Sequence, residues 1–251
     1  MDDEGNRSKL TEVHRVLLTY IRSCKYIQQE KLQNDFQLIL QRLSQESQLE
    51  TVDSLLDKHI ALINTSITQH GFKIDRRTHE ISGDLYYIFI NTLSDEIIKS
   101  NTNYSVKELD AVKTIIDDII ESKNFAIGRV NAQQRISNIL NKTLRDSSSF
   151  IDKLIDDGWF TLSREEKLLL SMKSLCELKH YLIDRHGIFT PTSKGKLYMC
   201  KQCNEMVTMG YKGEDGLSFH YKCYNIYTRA GGEEARTPSD YDIIGLYPDA
   251  I

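Results

Sequence analysis

Proline is scarce in this sequence and confined to its end. The three prolines are Pro191, Pro238 and Pro248. Residues 1–190 contain six glycines, although they make up most of the chain, and residues 191–251 contain seven. Because both residue types destabilise helix interiors, the long first part is predicted to be rich in helix and the remainder rich in loops. The best single boundary lies at residues 187–196.

A surplus of positive charge is also absent. The chain has 32 Lys and Arg against 36 Asp and Glu, a net charge of −4, which disfavours a protein that binds nucleic acid mainly through phosphate contacts. The longest dense apolar run, Leu85–Ile90, is far shorter than the roughly 18 residues of a membrane span. The acidic start, Met1–Glu4, does not resemble a signal peptide. We therefore expect an intracellular, soluble protein with no membrane partner.

Catalytic signatures are missing as well. The sequence has no Ser/His/Asp arrangement, no phosphate-binding glycine loop and no dinucleotide fingerprint, so we assign no catalytic and no organic cofactor-binding residue.

Hydrophobic periodicity repeats one order of elements twice. Apolar residues recur at helical spacing in three stretches between residues 10 and 63, and again between 109 and 155, where Ile127–Leu144 is the weakest stretch. Each group is followed by a pair of short β-rich runs, and helical spacing returns from Ser171 to Leu182. Three helices and a hairpin, twice over, predict two tandem winged-helix domains. The β-rich runs are Phe72–Ile74 with Leu85–Ile90, and Trp159–Leu162 with Lys167–Leu170.

A winged helix can bind DNA or other proteins, and the fold alone does not decide between them. The acidic runs Asp117-Asp118 and Asp156-Asp157 are expected on helices, where they would repel phosphate. Protein contact is therefore the preferred interpretation for both domains, and direct DNA binding is the third-ranked one.

The cysteines indicate a metal site near the end of the chain. Two of the five, Cys24 and Cys176, stand alone in helical sequence and are interpreted as buried packing residues. The other three belong to a Cys-x-x-Cys pair and to a His-x-x-Cys pair that follows it at the distance typical of zinc ribbons. Four such donors suit one tetrahedral zinc ion and leave no open position, so the predicted site is structural. The alternative is that the thiols are incidental and the histidine is ordinary. The predicted ligands are Cys200, Cys203, His220 and Cys223.

In this pattern the sequence resembles the non-structural maintenance of chromosomes element 1 family, the RING-like non-SMC subunits of the SMC five-six DNA-repair complex. The resemblance extends over nearly the whole chain and is strong from Gly158-Trp159 to Tyr181-Leu182. It implies two zinc ions in a cross-braced module, and the four donors above match the first site. The positions of the second site fall on non-donor residues or lone carboxylates: Lys212, Asp215, Thr237 and Asp240, around a retained Pro238. We therefore expect one zinc, and an ion pair of Lys212 with Asp215 and Asp240 in place of the other.

The resemblance also implies an activity and partners. A RING-type ubiquitin ligase holds a charged conjugating enzyme near its substrate and has no nucleophile of its own. Here Gln202 occupies a contact position that is usually apolar, and Tyr241 one that is often cationic, so the expected ligase activity is weak or dependent on a partner. The runner-up is a non-catalytic scaffold that binds the MAGE-type and kleisin-type subunits. A ubiquitin-conjugating enzyme is a further candidate partner, and DNA is contacted only through the complex.

Together these observations predict a mostly α, α+β chain with three parts. A first winged-helix domain covers residues 1–98, a second covers 99–187, and a RING-like module with a single zinc site covers 188–251. The implied role is DNA repair and recombination in the nucleus, on chromosomes.

Overall fold

The computed structural model describes residues 10–43, 51–92, 104–213, 216–229 and 241–247. It contains both helices and antiparallel sheets, and it divides into two compact units. The first unit comprises residues 1–78 and 84–93, and the second comprises 79–83 and 94–251. The second unit therefore includes the turn at 79–83.

The first unit packs three helices beside a three-stranded sheet. Apolar side chains at helical spacing, such as Val13, Leu17 and Ile21, are fully buried in its core. The sheet order is β1-β3-β2, and Ile27 pairs with Tyr87 across the first two strands. The elements are α1 Glu12–Cys24, β1 Tyr26–Gln28, α2 Gln29–Arg42, α3 Val52–Ile67, β2 Phe72–Thr78 and β3 Leu85–Asn91.

The second unit begins with a similar order of helices and strands. Its sheet order is β4-β6-β5, again with a short strand at one edge. Ser105 caps the first helix, as predicted, and Gly158 follows the third helix with φ of +80°. The elements are α4 Val106–Glu121, β4 Ile127–Gly128, α5 Arg129–Leu140, α6 Leu144–Asp156, β5 Phe160–Leu162, β6 Lys167–Leu170, α7 Met172–Glu177 and α8 Lys179–His186.

One predicted stretch differs from the structure. Ile127–Leu144 is not one weak helix: its first two residues form β4, and its last residue begins α6. Asn141 ends α5 in the left-handed conformation, with φ of 51°, which an asparagine tolerates well. This break in the backbone explains why the apolar spacing of the stretch is irregular.

The rest of the second unit is built from short strands and one helix. One large buried core runs from Tyr104 to Ile244 and includes the cysteine-containing part, and a smaller separate cluster contains Leu169, Met209 and Leu246. The predicted domain boundaries at 98/99 and 187/188 stay predictions. The elements are β7 Phe189–Thr190, β8 Ser193–Lys194, β9 Tyr198–Met199, β10 Met206–Val207, β11 Gly210–Gly213, β12 Ser218–Phe219, α9 Tyr221–Arg229 and β13 Tyr241–Ile244. Among the described residues, no helix is both long enough and apolar enough to cross a membrane.

Candidate metal centre

The four predicted ligands come together at the ends of short strands. Cys200 follows β9 directly, and Cys203 lies in the turn that leads to β10. His220 lies between β12 and α9, and Cys223 is in the first turn of that helix. We call residues 197–229 the cysteine segment.

Backbone pairing brings the two donor pairs together. Cys200 forms a parallel β-bridge with Ser218, and the Lys201 amide donates to the Ser218 carbonyl at 2.9 Å. The Asn204 amide donates to the Cys200 carbonyl at 2.9 Å, which closes the turn that carries Cys203. Asn204 has φ of 57°, a left-handed conformation that asparagine adopts more readily than most residues.

The donor atoms form a compact cluster. The three Sγ atoms and one imidazole nitrogen all lie within 4.8 Å of one another. Cys200, Cys223 and His220 are buried, whereas Cys203 is exposed. The Nδ1 atom of His220 is 3.3 Å from the Cys203 Sγ atom, so this nitrogen faces the sulfurs. Three sulfurs and one nitrogen at this separation are close enough to bind one metal ion and are compatible with tetrahedral zinc.

The electrostatics of the cluster favour a cation. Hydrogen bonding with Cys203 lowers the pKa of the Cys200 thiol to about 3, and the same contact raises the pKa of the Cys203 thiol. Of these two thiols, that of Cys200 therefore ionises more readily. Burial lowers the pKa of the His220 imidazole, but its cysteine neighbours and Glu80 raise it overall. A divalent cation would allow all three thiols to ionise while the imidazole stays neutral, as metal binding requires.

Of the four second-site positions that the sequence predicts, Lys212 alone lies among the described residues. The Lys212 ammonium lies 4.5 Å from the Phe189 ring centroid and 5.2 Å from that of Tyr198, at cation–π distance. The predicted ion-pair partners of Lys212, Asp215 and Asp240, lie outside the described residues, so the ion pair stays a prediction. The remaining site position, Thr237, and the retained Pro238 also lie outside them.

The two described ligase-contact positions differ in exposure. Gln202 is exposed in the turn between the first two ligands. Tyr241 is half-buried in β13, where its ring lies 5.3 Å from that of Tyr224. Gln202 is therefore accessible, whereas Tyr241 packs against the core.

One side chain beside the cluster was not predicted from the sequence. Glu80, in the turn at 79–83, is buried, and its Oε1 atom is 3.3 Å from the Nε2 atom of His220. It lies far from the histidine along the chain, and a lone glutamate in a hairpin turn carries no local signal for this contact.

Comparison with known protein families gives one extended match. The model of the family described as Nse1 non-SMC component of SMC5-6 complex matches residues 14–178. This is well over half of the chain.

Individual relatives agree with the family match. Non-structural maintenance of chromosomes element 1 of Schizosaccharomyces pombe is 25% identical over 250 residues, which cover 98% of this chain and 100% of that protein. The Homo sapiens homolog is 23% identical over 186 residues, 73% of this chain and 66% of that protein. The Xenopus tropicalis homolog is 22% identical over 177 residues, 69% of this chain and 63% of that protein. The chain thus spans slightly less than two thirds of the human and frog proteins.

A solved structure shows the same fold. A chain of an Nse1-Nse3-Nse4 complex superposes with a TM-score of 0.71 and covers 88% of this chain and 92% of its own length, at 17% sequence identity. Together with the family match over residues 14–178, this places the protein in the Nse1 family of non-SMC components of the SMC5-6 complex.

Proposed function

We propose that the chain acts in an SMC5-6 complex in DNA repair and recombination, where it binds the MAGE-type subunit Nse3 and the kleisin-type subunit Nse4. The observation that carries the proposal is the family match over residues 14–178. The similar fold of a chain from an Nse1-Nse3-Nse4 complex supports the choice of partners. A nuclear, chromosome-associated location follows from this role.

The proposal includes three functional parts. Residues 1–98 and 99–187 are two winged-helix domains, and residues 188–251 are a RING-like module with one structural zinc. Each of the first two parts has helices beside a small three-stranded antiparallel sheet, which supports this assignment. The zinc is held by Cys200, Cys203, His220 and Cys223, whose donor atoms cluster within 4.8 Å.

The activity of the module is RING-type ubiquitin ligation, weak or dependent on a partner. Such a module raises the effective concentration of a charged conjugating enzyme at its substrate and restricts the reacting geometry. Zinc supplies only the fold that presents the contact surface. The polar, exposed Gln202 at the contact turn is the reason to expect weak activity.

The ligase proposal is tested by discharge of ubiquitin from a charged conjugating enzyme onto free lysine. The chain is assayed alone and with Nse3, next to the Cys200→Ser variant and the Cys24→Ser control. We expect faster discharge with Nse3, lost in Cys200→Ser and kept in Cys24→Ser. A rate that the chain does not change in either condition would refute the ligase activity.

In the same assay, Gln202→Leu tests whether this turn contacts the conjugating enzyme. This variant restores an apolar side chain at an exposed turn position without touching a ligand, and it should raise the discharge rate. An unchanged rate would show that the contact does not run through this turn, and a lower rate would refute the expected benefit of an apolar residue there.

A non-catalytic scaffold is the second candidate function. Pairing of the acidic residues favours protein contact over DNA contact: Asp117 forms a two-point ion pair with Arg185, and Asp118 forms another with Arg135. These arginines are therefore engaged within the chain. The scaffold function predicts co-purification with Nse3 and Nse4 whether or not ligase activity is present. It also predicts little affinity of the isolated chain for DNA, which a steep salt-dependent binding curve would contradict.

A further inference from the structure

Glu80 is a buried carboxylate in the turn at 79–83. Its Oε1 atom accepts a hydrogen bond from the Thr208 amide at 2.7 Å, and its Oε2 atom accepts one from the Thr208 hydroxyl at 2.6 Å. The Met209 amide is 3.4 Å from Oε1. A buried carboxylate is costly unless hydrogen bonds compensate for its desolvation, and these donors provide that compensation.

The turn is also closely packed against the helix that carries Cys223. Gly83 has φ of +74°, and a Cβ atom at this residue would lie 2.6 Å from the Lys222 Cγ atom. The turn therefore needs glycine here, both for its backbone conformation and for its distance from α9.

The two ring nitrogens of His220 have different neighbours. Its Nδ1 atom faces the sulfurs, while its Nε2 atom is 2.9 Å from the Met206 carbonyl oxygen and 3.3 Å from Glu80 Oε1. Both neighbours of Nε2 are acceptors, so Nε2 carries the ring proton. In the neutral imidazole that metal binding requires, the Nδ1 lone pair is then free to bind a metal. Histidine ligands generally donate their other N–H to a carboxylate or carbonyl, which fixes the tautomer and the ring orientation.

We propose that Glu80 is a positioning residue for the metal centre: with the Met206 carbonyl it holds His220 as an Nδ1 ligand, so that the turn at 79–83 controls how tightly zinc is retained. This inference rests on the proposed zinc site. It extends that site from four ligands to a carboxylate far away in the sequence. Zinc binding and the packing of the turn are consequently linked, and each stabilises the other.

The experiment measures zinc release from the full chain to a chromogenic chelator. Loss of an outer-shell partner of a metal ligand typically weakens metal binding about 10–100-fold, and Glu80→Ala should accelerate release by a similar factor. Glu80→Gln keeps an oxygen beside Nε2 and should release zinc at close to the parent rate. Thr208→Val removes one hydrogen bond to Glu80 but leaves His220 untouched, and it should also stay close to the parent.

Two further measurements separate positioning from a structural effect. A long-range ¹H–¹⁵N spectrum should show a protonated, slowly exchanging His220 Nε2 in the parent and in Glu80→Gln, and rapid exchange in Glu80→Ala. If Glu80→Ala does not fold, Glu80→Asp replaces it, since the shorter side chain keeps the charge but withdraws the oxygen from His220. Faster release from this variant supports the inference.

The outcomes distinguish the two proposals. If the parent chain holds no zinc, the proposed metal site fails. If the parent holds zinc but Glu80→Ala, or Glu80→Asp in its place, releases it at the parent rate, only the role of Glu80 fails. Equal acceleration in Thr208→Val would also overturn that role, because the effect would then follow from loosening the turn.

Discussion

At the scale of single residues, aromatic side chains pack together in the part of the second unit that carries the candidate metal ligands. Phe219 is fully buried, and its ring centroid is 4.8 Å from that of Tyr227 and 5.9 Å from that of Tyr224. Tyr211 adds a ring contact with Tyr224 at 5.1 Å. Aromatic pairs at these distances contribute beyond their buried area. We infer that this cluster holds together the strands and the helix that carry the candidate metal ligands.

Phe219→Ala tests this inference. Removing a buried phenylalanine typically costs about 3–5 kcal/mol, and the variant should lose zinc although its four donors are intact. Urea unfolding followed by fluorescence of Trp159, together with zinc content, measures both effects. Tyr247→Ala is the control, because Tyr247 is 66% exposed; it should change stability by less than about 0.5 kcal/mol. Full zinc retention in Phe219→Ala would contradict the inference.

His14 makes the first unit sensitive to pH. Its Nδ1 atom accepts a hydrogen bond from the Thr11 amide at 3.1 Å, and its ring stacks on His59 at 4.5 Å. Burial, and then the charge of His59, lower the pKa of His14 below its usual 6.5. Protonation would also turn the Nδ1 acceptor into a donor and break the contact with Thr11.

The unfolded chain therefore binds this proton more readily than the folded chain does. The stability that neutral His14 provides is complete above pH 6.5, the unfolded pKa, and decreases as the pH falls below it. An NMR titration should give a His14 pKa below 6.5, and the urea midpoint of the first unit should decrease between about pH 7.5 and pH 5.5. His14→Gln should flatten this dependence, and substitution of the exposed His70 should not.

At the scale of elements, the start of α4 combines a capping box with an ion pair. Ser105 Oγ accepts from the Glu108 amide at 3.3 Å, and Glu108 Oε2 accepts from the Ser105 amide at 3.0 Å. Lys142 Nζ lies 3.0 Å from Glu108 Oε1. The backbone hydrogen bond from Ser105 lowers the pKa of Glu108 below 4.5, and Lys142 lowers it further, while burial opposes both. This arrangement satisfies amides that every helix start leaves without a partner.

The cap should contribute to stability in a pH-dependent way. Ser105→Ala should lower the free energy of unfolding by about 1 kcal/mol at neutral pH. The pKa of Glu108 is lower in the folded chain than in the unfolded chain. The stability that ionised Glu108 contributes is therefore complete above pH 4.5, and it is lost as the pH falls through the pKa of the folded chain. Stability curves of the parent and Glu108→Gln should therefore converge in acid. Asp110→Asn, on the exposed face of the same helix, is the control, and equal convergence there would refute the assignment to the cap.

The sequence predicted the long helices and the paired hairpin strands of this fold, and it missed the edge strands that join each sheet from elsewhere in the chain. Apolar stripes such as Leu109–Ile120 identify helices because burial on one face repeats every turn. The edge strands β1 and β4 are three and two residues long, too short for an alternating pattern to be recognisable. They pair with residues far along the chain, Ile27 with Tyr87 and Ile127 with Leu168.

The candidate metal site likewise contains residues that the sequence predicted and one that it did not. The clustering of its four candidate ligands was predictable because their donor chemistry and their short spacing, as in Cys200 and Cys203, are visible in the local sequence. Glu80 was not, since its contact with Thr208 spans 128 positions. Contacts of this kind depend on the folded chain, and no local pattern encodes them.

At the scale of the whole molecule, the two units have separate cores, and among the described residues the candidate metal ligands belong to the second unit. The first core is built around residues such as Leu17 and Ile63, and the second runs without interruption from α4 into the cysteine segment. Cys200 and Cys223 themselves belong to that second core. Metal binding should consequently stabilise helices that are far from the donors along the chain, such as α4, but not the first core.

Removing zinc with a chelator should destabilise the two units unequally. The binding free energy of a structural zinc contributes directly to folding, so the second unit should unfold at lower urea concentration after chelation. Trp159, the single tryptophan of the chain, reports on this unit. Hydrogen exchange at Leu17 and Ile63 reports on the first unit, whose protection should be unchanged. The Cys200→Ser variant should behave like the chelated parent and should not respond to further chelator. Equal loss of protection in both cores would show that zinc stabilises the chain as one cooperative body, and would contradict the division into two independently stabilised units.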